Sequence, residues 1–185
     1  ENLLIVRDGG TVEAQNIFIN RNGRLTGGGG ELIGNLIVNG GTVAPGDSAG
    51  TMRVDGDANF NEGQLELEIG DPTESDYLII TGAVFVGTDF VFDIELTSDS
   101  ISEIVLDDYI NAEGGVSFSD SFDLATAVRI MSEAGLFPNG ESTMLVRFGN
   151  QVASIAAAPI PLPGAIAFMI TGLAGMGWVR KKKST

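Results

Sequence analysis

The chain of 185 residues contains no cysteine and no histidine. Without cysteine it can form no disulfide, offers no thiol nucleophile and cannot bind a metal through thiolates. Without histidine it lacks the most common general base, which excludes a Ser-His-Asp triad. Catalysis would depend on carboxylates, lysine or tyrosine, and the only tyrosines are Tyr77 and Tyr109. The composition therefore argues against an enzyme.

Positive charge is also scarce. Residues 1–179 hold six arginines against 25 acids, a net charge of −19, and every lysine lies in the last five residues. So acidic a body repels phosphates, and no nucleic-acid partner is expected. The length fits one domain with a sizeable core. The chain starts at Glu1, so either a signal peptide has been removed or the sequence is a piece of a longer chain. We favour an exported protein whose signal peptide has been removed, because the other end also has features of export.

Short alternating segments separated by Gly, Asn and Asp fill residues 2–96. In QLELEIG (64–70), alternation places Leu65, Leu67 and Ile69 on one face of a strand and the two glutamates on the other. The glycines and asparagines supply the positive φ angles that tight turns need. We found no convincing helical period in this stretch. The pattern predicts a mainly β fold.

Two stretches of this segment resemble each other. LIVRDGGTV (4–12) and LIVNGGTV (36–43) share an apolar strand, a turn, two glycines and Thr-Val, at an offset of about 31 residues. With a weaker strand between them, this spacing favours the stacked turns of a parallel β-helix. The alternative is a β-sandwich with two similar hairpins.

The stretch NLIVNGGTVAPGDSAGTMRVDGDANFNEGQLELEI (35–69), followed by DYLIITGAVFVG (76–87), resembles the β-helical repeat of autotransporter passenger proteins. Its most specific part is APGDSAGT (44–51). The resemblance implies a small right-handed parallel β-helix, or β-solenoid, on an exported protein. It implies no particular activity. The chain departs from that family because no outer-membrane barrel follows.

The pattern changes after Leu96, so the domains are predicted as a β-solenoid at 1–96 and a capping region at 97–157. Within the cap, SDSFDLATAVRIMSEAGLF predicts a helix at about 120–134, with Ser119 or Asp120 as its N-cap and Gly135 at its end. This helix would cover the open end of the solenoid. Two alternating stretches around Gly149-Asn150 predict a hairpin at about 143–157.

The end of the chain is predicted to be a linker and an apolar helix. Prolines make 158–163 an extended linker. Residues 164–179 carry no charge and would be about 24 Å long as a helix, close to the hydrocarbon thickness of a bilayer. Helix packing or membrane contact is assigned to Ala165, Phe168, Gly172, Gly175 and Trp178. The alternative is a core helix of a soluble domain.

This arrangement resembles the PEP-CTERM class of bacterial sorting signals, in its Val-Pro-Leu-Pro-Ala variant. The motif is Ile160-Pro161-Leu162-Pro163-Gly164, with Ile for Val and Gly for Ala. A basic cluster follows the apolar segment as a stop, at Arg180, Lys181, Lys182 and Lys183. The resemblance implies export, a membrane anchor that is transient or permanent, and an exosortase-type sorting protease as partner. It also implies a Gram-negative bacterium that makes exopolysaccharide.

Aspartates at two turns are weak candidates for metal ligands. Asp55 and Asp57 flank one glycine, and Asp71 and Asp76 bound a short loop, so oxygen ligands for calcium are concentrated there. Neither spacing is that of an EF-hand or a nonapeptide calcium motif, which favours solvated turns. No cofactor and no metal site are therefore expected.

The sequence predicts a non-enzymatic structural or adhesive protein of the cell surface or extracellular matrix. Open solenoid ends and a glycine-faced apolar helix suggest assembly with copies of itself into filaments. The alternative is a module that binds or cleaves polysaccharide, using paired carboxylates such as Glu66 and Glu68. In either case exopolysaccharide is an expected partner.

Overall fold

The structure, a computed structural model, describes residues 2–46, 49–98, 101–132, 143–156 and 158–159. These residues form strands, one short helix and a 3-10 turn at Leu106–Asp108. The strands are β1 (Asn2–Ile5), β2 (Thr11–Asn20), β3 (Gly23–Thr26), β4 (Gly30–Ala44), β5 (Thr51–Asp55), β6 (Ala58–Ile69), β7 (Tyr77–Ile80), β8 (Val84–Leu96), β9 (Glu103–Val105), β10 (Ile110–Ala112), β11 (Val116–Phe118), β12 (Val128–Ser132), β13 (Thr143–Phe148), β14 (Gln151–Ala156) and β15 (Ala158–Pro159), and the helix is α1 (Leu124–Ala127).

Twelve of the strands form one curled parallel sheet, whose strand pairs stack in three rows. Row A contains β1, β3, the end of β4, the second halves of β6 and β8, then β12 and β15. Row B contains the starts of β2 and β4, then β5, β7 and β10. Row C contains the second half of β2, the middle of β4, the starts of β6 and β8, then β11. The prediction of a mainly β, partly solenoid-like fold is confirmed.

The chain visits the rows in the repeating order A, B, C. The sequence distance between paired residues first falls, from 21 for Leu3–Arg24 to 18 for Leu25–Val43, and then grows along the chain. Leu3 pairs with Arg24, Val38 with Phe60, Phe60 with Val86 and Val86 with Phe118. Much of the added length lies at the corner between rows A and B. That corner contains residues 6–10 in the first turn, 27–29 in the second, and then 45–50, 70–76 and 97–109. The rows themselves keep their pairing while the corner lengthens.

The core is a stack of apolar side chains that point to the inside of the curled sheet. Alternation buries Leu65, Leu67 and Ile69 and turns Glu66 and Glu68 outward, as the sequence predicts. Phenylalanines form a continuous column from Phe60 through Phe90 and Phe92 to Phe148, with ring centroids 4.7–5.4 Å apart. Burial of such side chains is the main source of the free energy that stabilises the sheet.

Polar ladders and glycines form the corners of the sheet. Between rows C and A, the Asn61 side-chain amide donates to Oδ1 of Asn39, 2.9 Å away. Between rows B and C, Gly34 has a φ of 124°, and a Cβ there would lie 1.7 Å from the Ala14 carbonyl oxygen. Only glycine fits so close to a neighbouring backbone at a left-handed φ. The short polar segments of the sequence therefore set where each row ends.

The predicted helix at about 120–134 is wrong in extent. Asp123 caps only the four residues of α1, since its Oδ1 accepts the Ala125 N–H at 3.0 Å. From Val128 the chain forms β12, which pairs with Phe92–Glu95 of β8. The alternation of Val128, Arg129 and Ile130 suits a strand, and the free edge of β8 supplies backbone partners that an isolated helix does not have.

Two further expectations need correction. The sheet does not stop at Leu96, because β10, β11 and β12 continue all three rows. The similar stretches at 4–12 and 36–43 are not stacked on each other: Leu4 pairs with Leu25 in row A, whereas Leu36 pairs with Ile17 in row C. The offset of 31 residues is thus longer than one turn of the chain at this point.

The hairpin at about 143–157 is confirmed. β13 and β14 pair antiparallel around Gly149-Asn150, and β9 pairs parallel with β13 to make a separate three-stranded sheet. Its Phe148 packs edge-on against Phe92 and Phe118, so the hairpin covers part of the last turn of the core. This hairpin, together with α1, takes the covering role that the sequence assigned to a helix.

The predicted apolar helix at 164–179 lies outside the described residues, as do the linker from Ile160 and the basic cluster. Within the described ranges, no helix has the length and hydropathy needed to cross a membrane.

Candidate functional site: an acidic groove on row A

The outer surface of row A carries four carboxylates in two adjacent pairs. Register places Glu66 beside Asp93 and Glu68 beside Glu95, because β6 and β8 share the same alternation. They line an open groove of about 280 Å³. The remaining lining residues are Arg24, Ala44, Gly46, Leu67, Asp76 and Met131. We call this surface the acidic groove.

Two arginines offset part of its negative charge. Arg24 reaches from β3 to Glu66, with Nη2 2.7 Å from Oε2, and the Gln64 amide donates to the other oxygen of Glu66 at 2.7 Å. Burial raises the pKa of Asp93; the nearby charge of Arg129 opposes this rise, and that of Glu66 adds to it. The groove thus holds more carboxylates than cations even after pairing.

Asp76 also lines the groove and is the most buried acid among the described residues, with 4% of its surface exposed. Its Oδ1 accepts the Gly50 N–H at 3.0 Å and its Oδ2 accepts the Glu68 N–H at 2.9 Å. Burial raises the pKa of Asp76 to about 6, although the two backbone donors lower it. The carboxylate fastens the corner before β7 to two neighbouring turns of the chain.

The raised pKa of Asp76 predicts a pH-dependent stability. The folded chain binds this proton more tightly than the unfolded chain, whose aspartates have an ordinary pKa near 3.8. We therefore expect the contribution of Asp76 to the free energy of unfolding to be greatest below about pH 4 and to decrease as pH rises to about 6, by up to about 3 kcal/mol. Urea unfolding at several pH values measures this slope. Asp76→Asn should flatten it, and a stability that increases from pH 5 to 7 would contradict the assignment.

The ion pair of Glu66 should contribute modestly to stability. We expect Glu66→Gln to lower the free energy of unfolding by about 0.5–1 kcal/mol at low salt, and by less in 1 M NaCl, because the pair with Arg24 is partly shielded from water. Side-chain exposures there are 29% and 34%. The matched control is Glu62→Gln, whose 3.9 Å pair with Arg21 is exposed by 56% and 81% and should contribute almost nothing. Equal effects of the two changes would contradict the prediction.

The aspartates considered as calcium ligands already serve as hydrogen-bond acceptors. Asp55 accepts from the Thr81 hydroxyl, Asp57 from the Ala83 N–H, Asp71 from the Ser98 hydroxyl, and Asp76 from the two amides named above. Across the ranges that the structure describes, no three acidic side chains are grouped to hold a metal. That the protein has no metal site therefore stays a prediction.

A second surface is the edge of the first turn of the chain. β1 and β2 each pair on one side only within the described residues. Leu3, Ile5 and Phe18 lie there with 56%, 45% and 54% of their surface exposed. Beside them, Leu4 and Val12 pack on the core but are only partly buried. An apolar, unpaired strand edge of this kind invites another strand.

The sorting motif, the packing helix residues and the basic stop all lie outside the described residues. Sequence reasoning noticed Glu66 and Glu68 but missed Asp93 and Glu95. The signal was present, because FDIEL (92–96) repeats the alternation of LELEI (65–69) at the offset of 27 that pairs the strands.

No protein-family model, no curated protein and no solved structure matches this chain.

Proposed function

We propose that the chain is an exported, non-enzymatic structural or adhesive protein of the cell surface or extracellular matrix of a Gram-negative bacterium, able to assemble into filaments. The observation that carries this proposal is the uncovered apolar edge of β1 and β2 on a stack of parallel strands. A soluble monomer gains nothing from exposing such an edge, whereas a protein that joins a larger assembly uses it.

The architecture behind this proposal is a small right-handed parallel β-helix. Its support is the order of the rows, since the chain passes A, B and C repeatedly and pairs in parallel at each return. Each turn of a solenoid buries its apolar face against the next turn. The last turn has a hairpin against it, and the first has none among the described residues.

The C-terminal segment belongs to the same proposal. An exosortase-type protease would recognise Ile160–Gly164, and the apolar residues that follow would hold the protein in the membrane until or unless they are removed. The support is the order of the three sequence features: proline motif, uncharged segment and basic cluster. Exopolysaccharide and other copies of the chain are the proposed partners at the surface.

Localisation and intact mass test the proposed function. Immunogold labelling of intact cells should place the protein on the surface or in the matrix, and deletion of its gene should abolish the label. Intact mass of the recovered protein then shows whether the chain ends near Pro161–Gly164 or at Thr185. Protein confined to the cytoplasm would overturn the proposal, and so would turnover of a matrix polysaccharide by the purified chain.

A second candidate function is supported by the acidic groove. A pKa near 6 and four neighbouring carboxylates are features of sites that bind or cleave sugars. Both Asp76 oxygens, however, already accept backbone N–H groups, and no aromatic side chain is among the described residues that line the groove. Release of reducing sugar from exopolysaccharide, lost in Glu68→Gln and retained in Glu74→Gln, would favour this candidate over the structural one.

A further inference from the structure

The two ends of the stacked rows are complementary in backbone, shape and charge. The first end is the free edge of β2, and the last end is the free edge of β10 and β11. Rows B and C begin with β2 and finish with β10 and β11 among the described residues. Row A is left out because β12, near its end, contacts β14 of the covering hairpin.

Backbone hydrogen-bonding groups at both ends point away from the molecule. The Glu31 N–H donates to the Gly10 carbonyl, so by strand alternation the amide of Thr11 faces the open edge. At the last end, the Leu78 N–H donates to Tyr109 and the Glu113 N–H donates to the Ile80 carbonyl. The amide of Ala112 therefore faces outward. Each end thus has unpaired backbone N–H and C=O groups with which a parallel strand of the other end can form hydrogen bonds.

Apolar side chains that are only partly buried are concentrated at the same two places. Val12 lies at the first end and Ala112 and Val116 lie at the last, where Phe118 already packs against Phe122 and against Phe148 of the hairpin. Their counterparts inside the stack, such as Val54, Ile80 and Val84, are fully buried. Another turn placed on either end would complete the burial of these side chains.

The net charges of the two ends favour contact between a first end and a last end over contact between two last ends. Residues 2–29 contain three arginines and two acids, a net charge of +1. Residues 101–132 contain six acids and one arginine, a net charge of −5. Two last ends repel each other, whereas a first end and a last end attract. The occupant favoured for each end is therefore the opposite end of a second copy.

We propose that copies of this chain stack head to tail, with β2 of one copy added in parallel to β10 and β11 of the next. The inference rests on the proposed structural function and supplies its contact surface. Inside the chain, successive strands of row B pair Val12 with Leu32, Leu32 with Val54, Val54 with Ile80 and Ile80 with Ala112. The proposed contact continues this register by pairing Ala112 of one copy with Val12 of the next. Such a contact is heterologous and does not close, so it produces filaments.

Two proline variants of the full chain test the interface. Thr11→Pro removes one outward N–H at the first end, and Ala112→Pro removes one at the last end, without removing a donor of the internal ladder. Thr11→Ala and Ala112→Ser keep the N–H and are the matched controls. Circular dichroism and thermal melting first establish that each variant folds. Sedimentation velocity and electron microscopy then measure assembly in one common buffer.

The expected results differ between single variants and their mixture. The unmodified chain and both controls form filaments, and raising NaCl from 0.05 to 0.5 M weakens association by about tenfold or more. Each proline variant alone remains a monomer. An equimolar mixture forms dimers and nothing longer, because only one intact interface remains between the two variants.

Two outcomes overturn the inference. If either proline variant still forms filaments, another surface such as the apolar C-terminal segment joins the copies, and the proposed structural function is untouched. If the unmodified chain stays monomeric at millimolar concentration across this salt range, head-to-tail stacking is wrong. Immunogold localisation then decides the proposed function by itself. Should a proline variant fail to fold, the salt dependence of Arg21→Glu, compared with Arg53→Glu in the middle of the stack, tests the same charge pairing.

Discussion

Phe92→Ala is expected to reduce the free energy of unfolding by about 4 kcal/mol. The side chain is fully buried, and its ring meets Phe90 at 5.4 Å and Phe148 at 5.3 Å, both edge-on. Removing it leaves a cavity between the stacked rows and the hairpin that covers the last turn. Phe148 of the hairpin then loses a main contact. We therefore expect the hairpin to detach from the core at a lower free-energy cost than unfolding of the whole sheet.

Urea unfolding and amide hydrogen exchange measure the two consequences separately. Exchange should quicken first in β13 and β14 and later in β6 and β8. The matched control is Phe18→Ala on the exposed edge of β2, where half of the ring surface is already in water, and a loss below about 0.5 kcal/mol is expected. If both changes cost the same, Phe92 does not occupy the core position described.

Asp76→Ala is expected to cost about 3 kcal/mol at pH 7, because it leaves two backbone N–H groups without an acceptor. Those groups, on Gly50 and Glu68, belong to two different turns of the chain, and the backbone of residues 76 and 77 also bonds to both of these residues. Loss of the carboxylate should therefore loosen the corner before β7 as a whole.

The control for Asp76 is Glu74→Ala in the same corner, an exposed side chain whose loss should change stability by less than about 0.5 kcal/mol. Thermal unfolding at pH 7 compares the two variants directly. A small effect of Asp76→Ala would mean that water replaces the carboxylate as acceptor. In that case Asp76 would be free for a role in the acidic groove.

Alternation and turn residues were sufficient to predict the strands of residues 2–96 and the inward face of β6. Both signals are local, since the direction of a side chain from a strand depends only on residue parity. The hairpin was predictable for the same reason, with Gly149-Asn150 between two alternating stretches.

Features that depend on partners distant in sequence were not predictable. Val128–Ser132 has a sequence compatible with either helix or strand, and the edge of β8 decides between them. The similarity of 4–12 to 36–43 suggested one stacked repeat. The number of residues in one passage through the three rows varies along the chain, however, so these similar sequences lie in different rows. The acidic groove needed the register of β6 against β8, which brings together acids 27 residues apart.

The corners between rows A and B differ in length from turn to turn, which indicates that this part of the fold tolerates insertions. Between rows A and B the connection varies in length, from residues 27–29 in one turn to residues 97–109 in another, while the paired rows on either side keep their alignment. Length at this corner is thus uncoupled from the sheet, since loop closure costs little more as a loop grows. Insertions, whether acquired in evolution or grafted as peptides for display, have a permissive location there. Successive turns would present them side by side along one edge of an assembly.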